Sequence, residues 1–307
     1  MSAGPGFREV YRDAATYEQL LLPHFFDGRA DGEVVTRIIA DRFGTAQDGR
    51  LRVVEFGCGT GRITEHLRAY ARELVCVDSS PSMIETMRER FPSARMLCLD
   101  TRDAVILLCD EDRAGEFDLV TAFWSLNYPL GEYFEQLTAD RITPTADLAA
   151  ARRQAALFID NLVSLVAPGG HLLVLMFDPD TPEQRLVTAL WEAVAPSPPG
   201  GRGYTHKLLL EQLRDVEARS DGSLTCTRLP GVAVAASRQA AVDWFTGVHL
   251  KGLRQLVDDP AVLNQVNEFV DHHTMPAGHV LIPTGVHVID LHAVHGRQHH
   301  FPEGRPR

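Results

Sequence analysis

The chain lacks several features that would assign it to a particular protein class. Its 307 residues contain no apolar run of membrane-spanning length and no N-terminal signal pattern, so we expect no membrane partner. The five cysteines are odd in number and form no C-x-x-C pair. This usage favours reduced, buried thiols in a cytoplasmic protein and gives no iron–sulfur pattern.

Positive charge is also scarce. The formal net charge is −11, and the only lysines are Lys207 and Lys251. No basic stripe offsets the acidic balance, although neutralising the phosphates of a nucleic acid would require one. We therefore expect no nucleic-acid partner and favour a small molecule as substrate.

The chain does contain a glycine-rich turn between an apolar strand and a helix-like stretch. Residues 53–61 read Val-Val-Glu-Phe-Gly-Cys-Gly-Thr-Gly, which places Glu55 before Gly57, Gly59 and Gly61. Such glycines let the backbone approach a ligand, and the helix N-terminus behind them favours polar or anionic groups. Gly61 comes one residue too early for the dinucleotide-binding pattern G-x-G-x-x-G. Turn geometry alone would also explain the glycines.

Polar residues follow the next predicted strands. Residues 74–77 lead into Asp78, one β-α unit after the turn, where nucleotide-binding folds place a carboxylate that accepts ribose hydroxyls. The following strands end at Asp100 and at Phe123. Singly, Asp78 could be a helix N-cap and Asp100 an ordinary loop acid. Their order at successive strand ends indicates one binding crevice, because ligands of open α/β sheets bind there.

These motifs together resemble those of the class I S-adenosylmethionine (SAM) methyltransferases that act on small molecules. The resemblance covers roughly residues 45–180. It implies that Glu55 faces the amino acid moiety of SAM, that the three glycines make room for it, and that Asp78 binds the ribose. It also implies further cofactor contacts from Tyr17, Ser79, Met83, Asp100, Thr101 and Phe123, with Met83 and Asp100 at the adenine.

The same resemblance implies the fold and its division. We expect an α/β fold with a Rossmann-like, mostly parallel seven-stranded sheet and a closing antiparallel hairpin. The expected parts are an N-terminal helical lid at 1–45, a SAM-binding core at 46–180, a substrate-specificity insertion at 181–278, and closing strands with a tail at 279–307. Residues 278–294 read as two strands around Pro283.

The N-terminal segment carries a second resemblance. Residues 11–17 resemble the Y-D-x-x-A-x-x-Y-D opening of many small-molecule methyltransferases, with Arg12 and Glu18 in place of the two aspartates. In such enzymes this segment folds over the cofactor, and a tyrosine lies near the transferable methyl. The resemblance makes Tyr11 a candidate catalytic residue and Tyr17 a cofactor contact. The alternative is that both tyrosines form the apolar face of a short helix.

Methyl transfer depends mainly on positioning, and it needs a base only when the nucleophile arrives protonated. His249 is the candidate base, since histidine accepts protons near neutral pH. The candidate walls of the substrate pocket are Trp124, Asn127, Tyr128 and Trp244, although Trp124 could equally be core packing. The pair His272-His273 has no carboxylate or cysteine at ligand spacing, so we expect no metal.

The sequence thus predicts an enzyme that transfers a methyl group from SAM to a nitrogen, oxygen or carbon atom of a small molecule, with secondary metabolism as one setting. Two alternatives stay open. One is a SAM-binding protein of another kind, such as an aminopropyltransferase or a non-catalytic subunit. The other is an NAD-dependent dehydrogenase. Detection of a methylated product together with S-adenosylhomocysteine would distinguish a methyltransferase from the first alternative. A cofactor shift assay would distinguish it from the second. A homodimer also stays open.

Overall fold

The computed structural model describes residues 13–45, 49–137, 142–194, 203–251 and 253–293. Within these ranges one large sheet is flanked by helices. The strands are β1 His24–Phe26, β2 Arg29–Ala30, β3 Leu51–Phe56, β4 Ala71–Asp78, β5 Arg95–Cys98, β6 Phe117–Phe123, β7 Glu135–Leu137, β8 Ile142–Pro144, β9 Val166–Phe177, β10 Ser223–Ala235 and β11 Val280–His292. The helices are α1 Ala14–Leu20, α2 Asp31–Phe43, α3 Thr64–Arg68, α4 Pro81–Arg90, α5 Thr101–Asp110, α6 Asn127–Gly131, α7 Leu148–Ser164, α8 Pro182–Val194, α9 Tyr204–Ala218, α10 Arg238–Asp243, a π-helical turn Trp244–His249, α11 Arg254–Val257 and α12 Pro260–His272.

The large sheet has the strand order β2-β1-β10-β11-β9-β6-β3-β4-β5. Strands β5, β4, β3, β6 and β9 are parallel neighbours, and β11 is antiparallel to both β9 and β10. The seven strands from β5 to β10 confirm the expected mostly parallel sheet with its closing antiparallel pair. Two short strands, β1 and β2, extend the sheet beyond that set.

The closing pair is built differently from the two strands expected within residues 278–294. That segment forms the single strand β11, which runs through Pro283, and its partner β10 lies at 223–235. Residues 223–235 therefore belong to the core sheet and not to an insertion spanning all of 181–278. Pro283 is tolerated because β9 pairs with β11 only from Val286 onwards. At Pro283, β11 is therefore paired with β10 alone, as at an edge strand.

The expected helical lid at 1–45 is only partly helical in the described residues. Strand β1 pairs with β10, and α2 packs its apolar side chains under the main sheet. The apolar, β-prone sequence His24-Phe25-Phe26 explains the strand. Helix α1 is tied to the core by a hydrogen bond from Ala14 N to Ser82 Oγ (3.1 Å). The N-terminal segment is thus joined to the sheet by α2 and β1. Of its described elements, only α1 lies where a lid over the cofactor cavity would be.

Alternating residues of the strands belong to two hydrophobic cores, one on each face of the sheet. Val54, Val75 and their neighbours pack with α5, α7 and α9, whereas Val53 and Cys76 pack with α2, α3 and α4. This period-two alternation with both faces apolar is what a parallel sheet buried between helices requires. A third core joins α8, α10, the π-helical turn, α11 and α12 to the ends of β10 and β11. Among the described helices, none combines the length and apolar character that crossing a bilayer demands.

Helix starts carry the expected capping residues. Ser80 Oγ accepts from Met83 N at the start of α4, and Asp147 accepts from Ala150 N (2.8 Å) at the start of α7. Asp100 caps α5 in the same way. Side-chain caps of this kind are worth about 0.5–2 kcal/mol each. Because α4 and α5 begin directly after β4 and β5, their caps lie at the edge where the polar residues of the sequence motifs meet.

Candidate active site

A cavity of about 160 Å³ opens where β3, β4, β5 and β6 end, and we call it the strand-end cavity. All the residues that the sequence predicts as cofactor contacts line it, apart from Gly61. Those that do are Tyr17, Glu55, Gly57, Gly59, Asp78, Ser79, Met83, Asp100, Thr101 and Phe123. The sequence motifs therefore converge on one site from six separate parts of the fold.

Gly61 has a packing role in place of the predicted cofactor contact. A Cβ atom at this position would lie 2.5 Å from Met87 Sδ and 2.5 Å from Phe91 Cε2. The absence of a side chain thus lets the end of α4 pack against the turn. Gly59 differs, because no atom of the described residues lies within 4 Å of its Cβ position, and its φ is +54°. The space next to Gly59 is open cavity.

Asp78 is fixed by two backbone amides. Its Oδ2 accepts from Gly59 N and its Oδ1 accepts from Ser80 N, both at 2.9 Å. These bonds join the glycine turn to the end of β4. A carboxylate accepts from hydroxyl as well as from amide donors. The residue fits the ribose contact that the sequence predicts.

Glu55 is the buried acid of the strand-end cavity. It is 2% exposed, and Thr64 Oγ1 donates to its Oε2 at 2.5 Å. Burial raises the pKa of Glu55 to about 8, and the nearby Asp78 adds to the increase. A glutamate in this state holds its proton at neutral pH until a cation enters the cavity. The ammonium group of a bound amino acid moiety is such a cation.

Asp100 has a structural task as well as a place in the cavity wall. Its Oδ1 accepts from Arg102 N (2.9 Å) and from Arg102 Nε (3.2 Å). Arg102 in turn donates to Glu132 Oε2 at 2.5 Å. Asp100 is therefore the N-cap of α5, and the same carboxylate also borders the cavity.

A second cavity of about 110 Å³ adjoins the first, and we call it the neighbouring cavity. The two share Tyr17, Arg62, Trp124 and Tyr128. The neighbouring cavity is also lined by the predicted residues Asn127, Trp244 and His249, and by residues that the sequence did not single out, including His24, Gln184, Phe177 and His206. Tyr11 lies outside the described residues.

Trp124 forms much of the boundary between the cavities. It directly follows β6 with a φ of +61°, a left-handed conformation that is strained for a bulky residue. Its ring lies 4.5 Å from that of Phe177 and 5.6 Å from that of Phe26, centroid to centroid. Its Nε1 is buried and makes no hydrogen bond among the described residues. Trp124 is therefore both packed against other rings and left with a polar atom beside the cavities.

A buried acid also lies at the neighbouring cavity. Glu183 Oε1 lies 2.8 Å from His249 Nε2 and accepts from Trp244 Nε1 at 2.9 Å. Burial alone would raise the pKa of Glu183, but the charge and hydrogen bond of His249, together with His24 and Trp244, lower it to about 2. Glu183 is thus a carboxylate whose partners come from the π-helical turn.

His24 lines the neighbouring cavity and has a buried ring nitrogen without a hydrogen-bond partner among the described residues. The ring is 5% exposed, and its Nδ1 donates to the Leu22 carbonyl at 2.7 Å, since a carbonyl can only accept. Its Nε2 is therefore the lone-pair nitrogen, and it makes no hydrogen bond to any described residue. Burial lowers the pKa of His24, partly opposed by Glu183 and Asp31 and helped by Arg62. His24 is thus a neutral imidazole whose basic atom is buried and unpaired among the described residues.

Sequence patterns could not single out His24 or Gln184. His24 belongs to a short strand whose pairing with β10 depends on residues about 200 positions away, for example in the pair His24–Ala233. Gln184 follows the buried Glu183 in the first turn of α8, and its Nε2 makes no hydrogen bond among the described residues. The only local signal was for His24, a polar side chain in the apolar stretch Leu-Leu-Pro-His-Phe-Phe, whereas Gln184 lies among polar neighbours.

Comparison with known proteins identifies the family of the chain. Residues 54–172 match the model of a methyltransferase domain family. The chain is 30% identical over 210 residues to the trans-aconitate 2-methyltransferase of Variovorax paradoxus strain S110, covering 65% of this chain and 68% of that one. The chain belongs to the class I SAM-dependent methyltransferases. It is an enzyme of that family, and its α/β fold and the resemblance of its motifs are confirmed.

Other similarities are shorter or more distant. An uncharacterised methyltransferase of Schizosaccharomyces pombe is 34% identical over 79 residues, which is 23% of this chain and 27% of that protein. Among solved structures, the [4+2]-cyclase SpnF has a TM-score of 0.48 at 17% identity, covering 95% of this chain and 98% of that one. The plantazolicin methyltransferase BamL has a TM-score of 0.42 at 11% identity, covering 85% and 84%.

Proposed function

We propose that this methyltransferase binds SAM in the strand-end cavity and its small-molecule acceptor in the neighbouring cavity. The shared boundary of Tyr17, Arg62, Trp124 and Tyr128 carries the proposal. A donor on one side and an acceptor on the other meet at that boundary without crossing the core. When bound, SAM supplies a methyl group on a sulfonium, which is open to in-line displacement.

The residues of the strand-end cavity have distinct tasks in this proposal. Gly59 leaves room for the cofactor, Asp78 accepts its ribose hydroxyls, and Glu55 faces its ammonium group. Met83 and Asp100 line the adenine end. Tyr17 is half-buried on α1, and burial raises the pKa of its hydroxyl to about 12, so it stays protonated. Its ring faces the shared boundary, where a sulfonium is favoured by aromatic surfaces.

The neighbouring cavity favours an acceptor with an apolar body and one protonated nucleophile. Trp124, Phe177 and Trp244 provide aromatic walls. The charged groups are already paired, since Arg62 Nη1 donates to both carboxylate oxygens of Asp31 at 2.5 Å, and Glu183 is paired with His249. A polycarboxylate such as the substrate named for the Variovorax relative would find few free cations here. We therefore propose a hydroxyl or amine nucleophile.

His24 is the proposed proton acceptor. As the nucleophile forms its bond to the methyl carbon, the carbon–sulfur bond breaks and its electron pair stays on sulfur. The proton of the hydroxyl or amine passes to His24 Nε2, whose tautomer is set by the Leu22 carbonyl. His249 is the base that the sequence suggests, but its Nε2 lies 2.8 Å from Glu183 Oε1. We therefore propose it as a positioning residue that keeps the wall of the neighbouring cavity in place.

The test is a turnover assay with SAM and a panel of phenols, amines and trans-aconitate. Methylated product and S-adenosylhomocysteine are both measured by mass spectrometry. The proposal expects equimolar products with phenols or amines and none with trans-aconitate. Turnover of trans-aconitate would contradict the acceptor class, and failure to bind S-adenosylhomocysteine by a folded protein would contradict the assignment of the strand-end cavity.

The role of His24 has its own readout. H24Q should lower kcat about 10²–10⁴-fold and leave the affinity for S-adenosylhomocysteine unchanged, because it removes the base and not the cofactor contacts. The wild-type kcat should also decrease at a pH below 6.5, the ordinary pKa of histidine, because His24 then takes up a proton. H24Q should not show this pH dependence. H273Q is the matched control, since His273 bonds Phe269 O away from both cavities. Equal kcat in H24Q and wild type would remove His24 from the mechanism.

The remaining expectations concern location and assembly. We propose a cytoplasmic enzyme, and the five free cysteines support this. The expected homodimer stays a prediction, which analytical ultracentrifugation would test.

A further inference from the structure

Three side chains of metal-binding types, two histidines and one cysteine, come together beside the neighbouring cavity, although they are far apart in the sequence. They are His206 of α9, Cys226 of β10 and His287 of β11, and their ligand atoms all lie within 4.8 Å of one another. His206 Nε2 is 2.6 Å from His287 Nδ1, and Cys226 Sγ is 3.7 Å from the same nitrogen. His287 is 61 residues from Cys226 and 81 residues from His206. The cluster therefore could not be predicted from a short sequence motif.

The cluster is held by regular secondary structure. Arg228 of β10 is the register partner of His287, and Cys226 precedes Arg228 by two residues, so Cys226 projects on the same face as that pair. His206 lies in the first turn of α9, whose apolar residues pack into the main core. Side chains on paired strands and a packed helix keep their separation better than loop residues do.

The donor set suits zinc. Two imidazoles and a thiol are the ligand types that Zn²⁺ prefers. Tetrahedral coordination with ordinary Zn–N and Zn–S bonds places N and S about 3.6 Å apart and two N atoms about 3.3 Å apart. The Cys226–His287 separation of 3.7 Å already matches this, and the two rings need to separate by less than about 1 Å from their 2.6 Å contact.

The surroundings provide support for the ligands. Asp178 is 1% exposed, and its Oδ1 lies 3.5 Å from His287 Nε2, on the side of the ring away from the cluster. A carboxylate behind a ligating histidine orients the ring and increases its basicity. Asp178 also pairs with Arg228, which fixes the carboxylate in turn. Arg214 lies near the cluster too, and Asp178 and Asp180 offset its charge.

We propose that His206, Cys226 and His287 bind one zinc ion, and that a water molecule or an oxygen of the acceptor completes the coordination. His206 also lines the neighbouring cavity, so the ion lies where it can hold a polar group of the acceptor. Binding of the ion does not depend on the methyl-transfer proposal. The metal prediction from the sequence considered only His272-His273, and these residues are not part of the cluster.

The experiment uses the full chain after dialysis against a chelator. Zn²⁺ is added in a calorimetric titration, and Co²⁺ serves as a second probe because a cobalt–thiolate bond gives a charge-transfer absorption. The proposal expects one ion per chain and that absorption. C226S should remove the absorption and weaken Zn²⁺ binding at least tenfold, and H287Q should weaken binding at least as much.

C98S is the matched control, since Cys98 is an exposed free cysteine at the end of β5 and outside the cluster. It should bind both ions as the unaltered chain does. Circular dichroism establishes that each variant is folded, and H206Q provides a further variant if H287Q does not fold. Absence of Zn²⁺ binding by the folded chain, or equal binding and absorption in C226S, would overturn the proposal.

Discussion

One buried glutamate, Glu55, lines the strand-end cavity, and another, Glu183, lies behind the neighbouring cavity in contact with its lining residues Trp244 and His249; the two acids have opposite properties. Glu55 in the strand-end cavity has its pKa raised to about 8, whereas the pKa of Glu183 at the neighbouring cavity is lowered to about 2. Both are nearly fully buried, so desolvation acts on them alike. The difference comes from their partners, a hydroxyl for Glu55 and a histidine with an indole for Glu183.

This difference separates an acid whose hydrogen-bond partner among the described residues is a hydroxyl from an acid that is already bonded to a histidine and an indole. Glu55 lacks a cation among its hydrogen-bond partners in the described residues, and an entering ammonium would supply it. Glu183 Oε1 already lies 2.8 Å from His249 Nε2. Cofactor binding should therefore change the protonation of the strand-end cavity more than that of the neighbouring cavity, and the following predictions test this contrast.

The largest effect is expected at the glycine turn. In G59V a β-branched side chain meets a φ of +54° and fills the open space of the strand-end cavity. We expect S-adenosylhomocysteine affinity to fall at least about 1,000-fold, or roughly 4 kcal/mol. Isothermal titration measures this loss.

G115V is the matched control for backbone strain. Gly115 has a φ of +69° and also has no described atom within 4 Å of its Cβ position, but it does not line the strand-end cavity as described. G115V should lower the melting temperature and keep cofactor affinity. Equal losses of affinity in both variants would mean that strain, and not blocked space, explains G59V.

The next effect concerns Asp78. D78A removes the proposed ribose contacts and the bond to Gly59 N, and each hydrogen bond to a charged group is worth about 1.5–3 kcal/mol. We expect cofactor affinity to fall about 100-fold. D147A removes a helix-cap aspartate of α7 and should cost about 1 kcal/mol of stability with no change in affinity. If D78A binds S-adenosylhomocysteine as tightly as D147A does, Asp78 has only a structural role.

The two cavities also differ in how much of them the sequence could predict. Glu55, Gly59 and Asp78 lie within 24 consecutive residues, 55–78, and their positions follow from strand, turn and helix in immediate succession. His24, Glu183 and His249 meet only through packing of distant segments, which local periodicity does not record. The seven-stranded sheet was predictable for the same local reasons, but the position of β10 was not. Its pairing with β11 joins residues from 223 to 292.

A smaller effect is expected for the acid of the neighbouring cavity. E183Q keeps an acceptor for Trp244 but removes the ion pair with His249, and we expect a loss of roughly 2–3 kcal/mol in unfolding free energy at pH 7. Because the folded pKa of about 2 is below the ordinary 4.5, the stabilisation is present above pH 4.5 and disappears as the pH falls towards 2. Urea unfolding between pH 3 and pH 7 should show the two proteins converging in acid. A constant difference would contradict the ion pair.

The smallest effect, and the one of opposite sign, is expected for Glu55. Its folded pKa of about 8 exceeds the ordinary 4.5, so between these values the folded state holds a proton that the unfolded chain has released. The unfolding free energy contributed by Glu55 is therefore fully present below pH 4.5 and is lost as the pH rises to about 8. E55Q cannot lose that proton, so without cofactor it should become more stable than the wild type by about 1–2 kcal/mol as the pH rises from 6.5 to 8. Urea unfolding at these two pH values measures the difference. S-adenosylhomocysteine should reduce it, because the ammonium of the ligand compensates the carboxylate only in the wild type. An unchanged difference with ligand would place the ammonium away from Glu55.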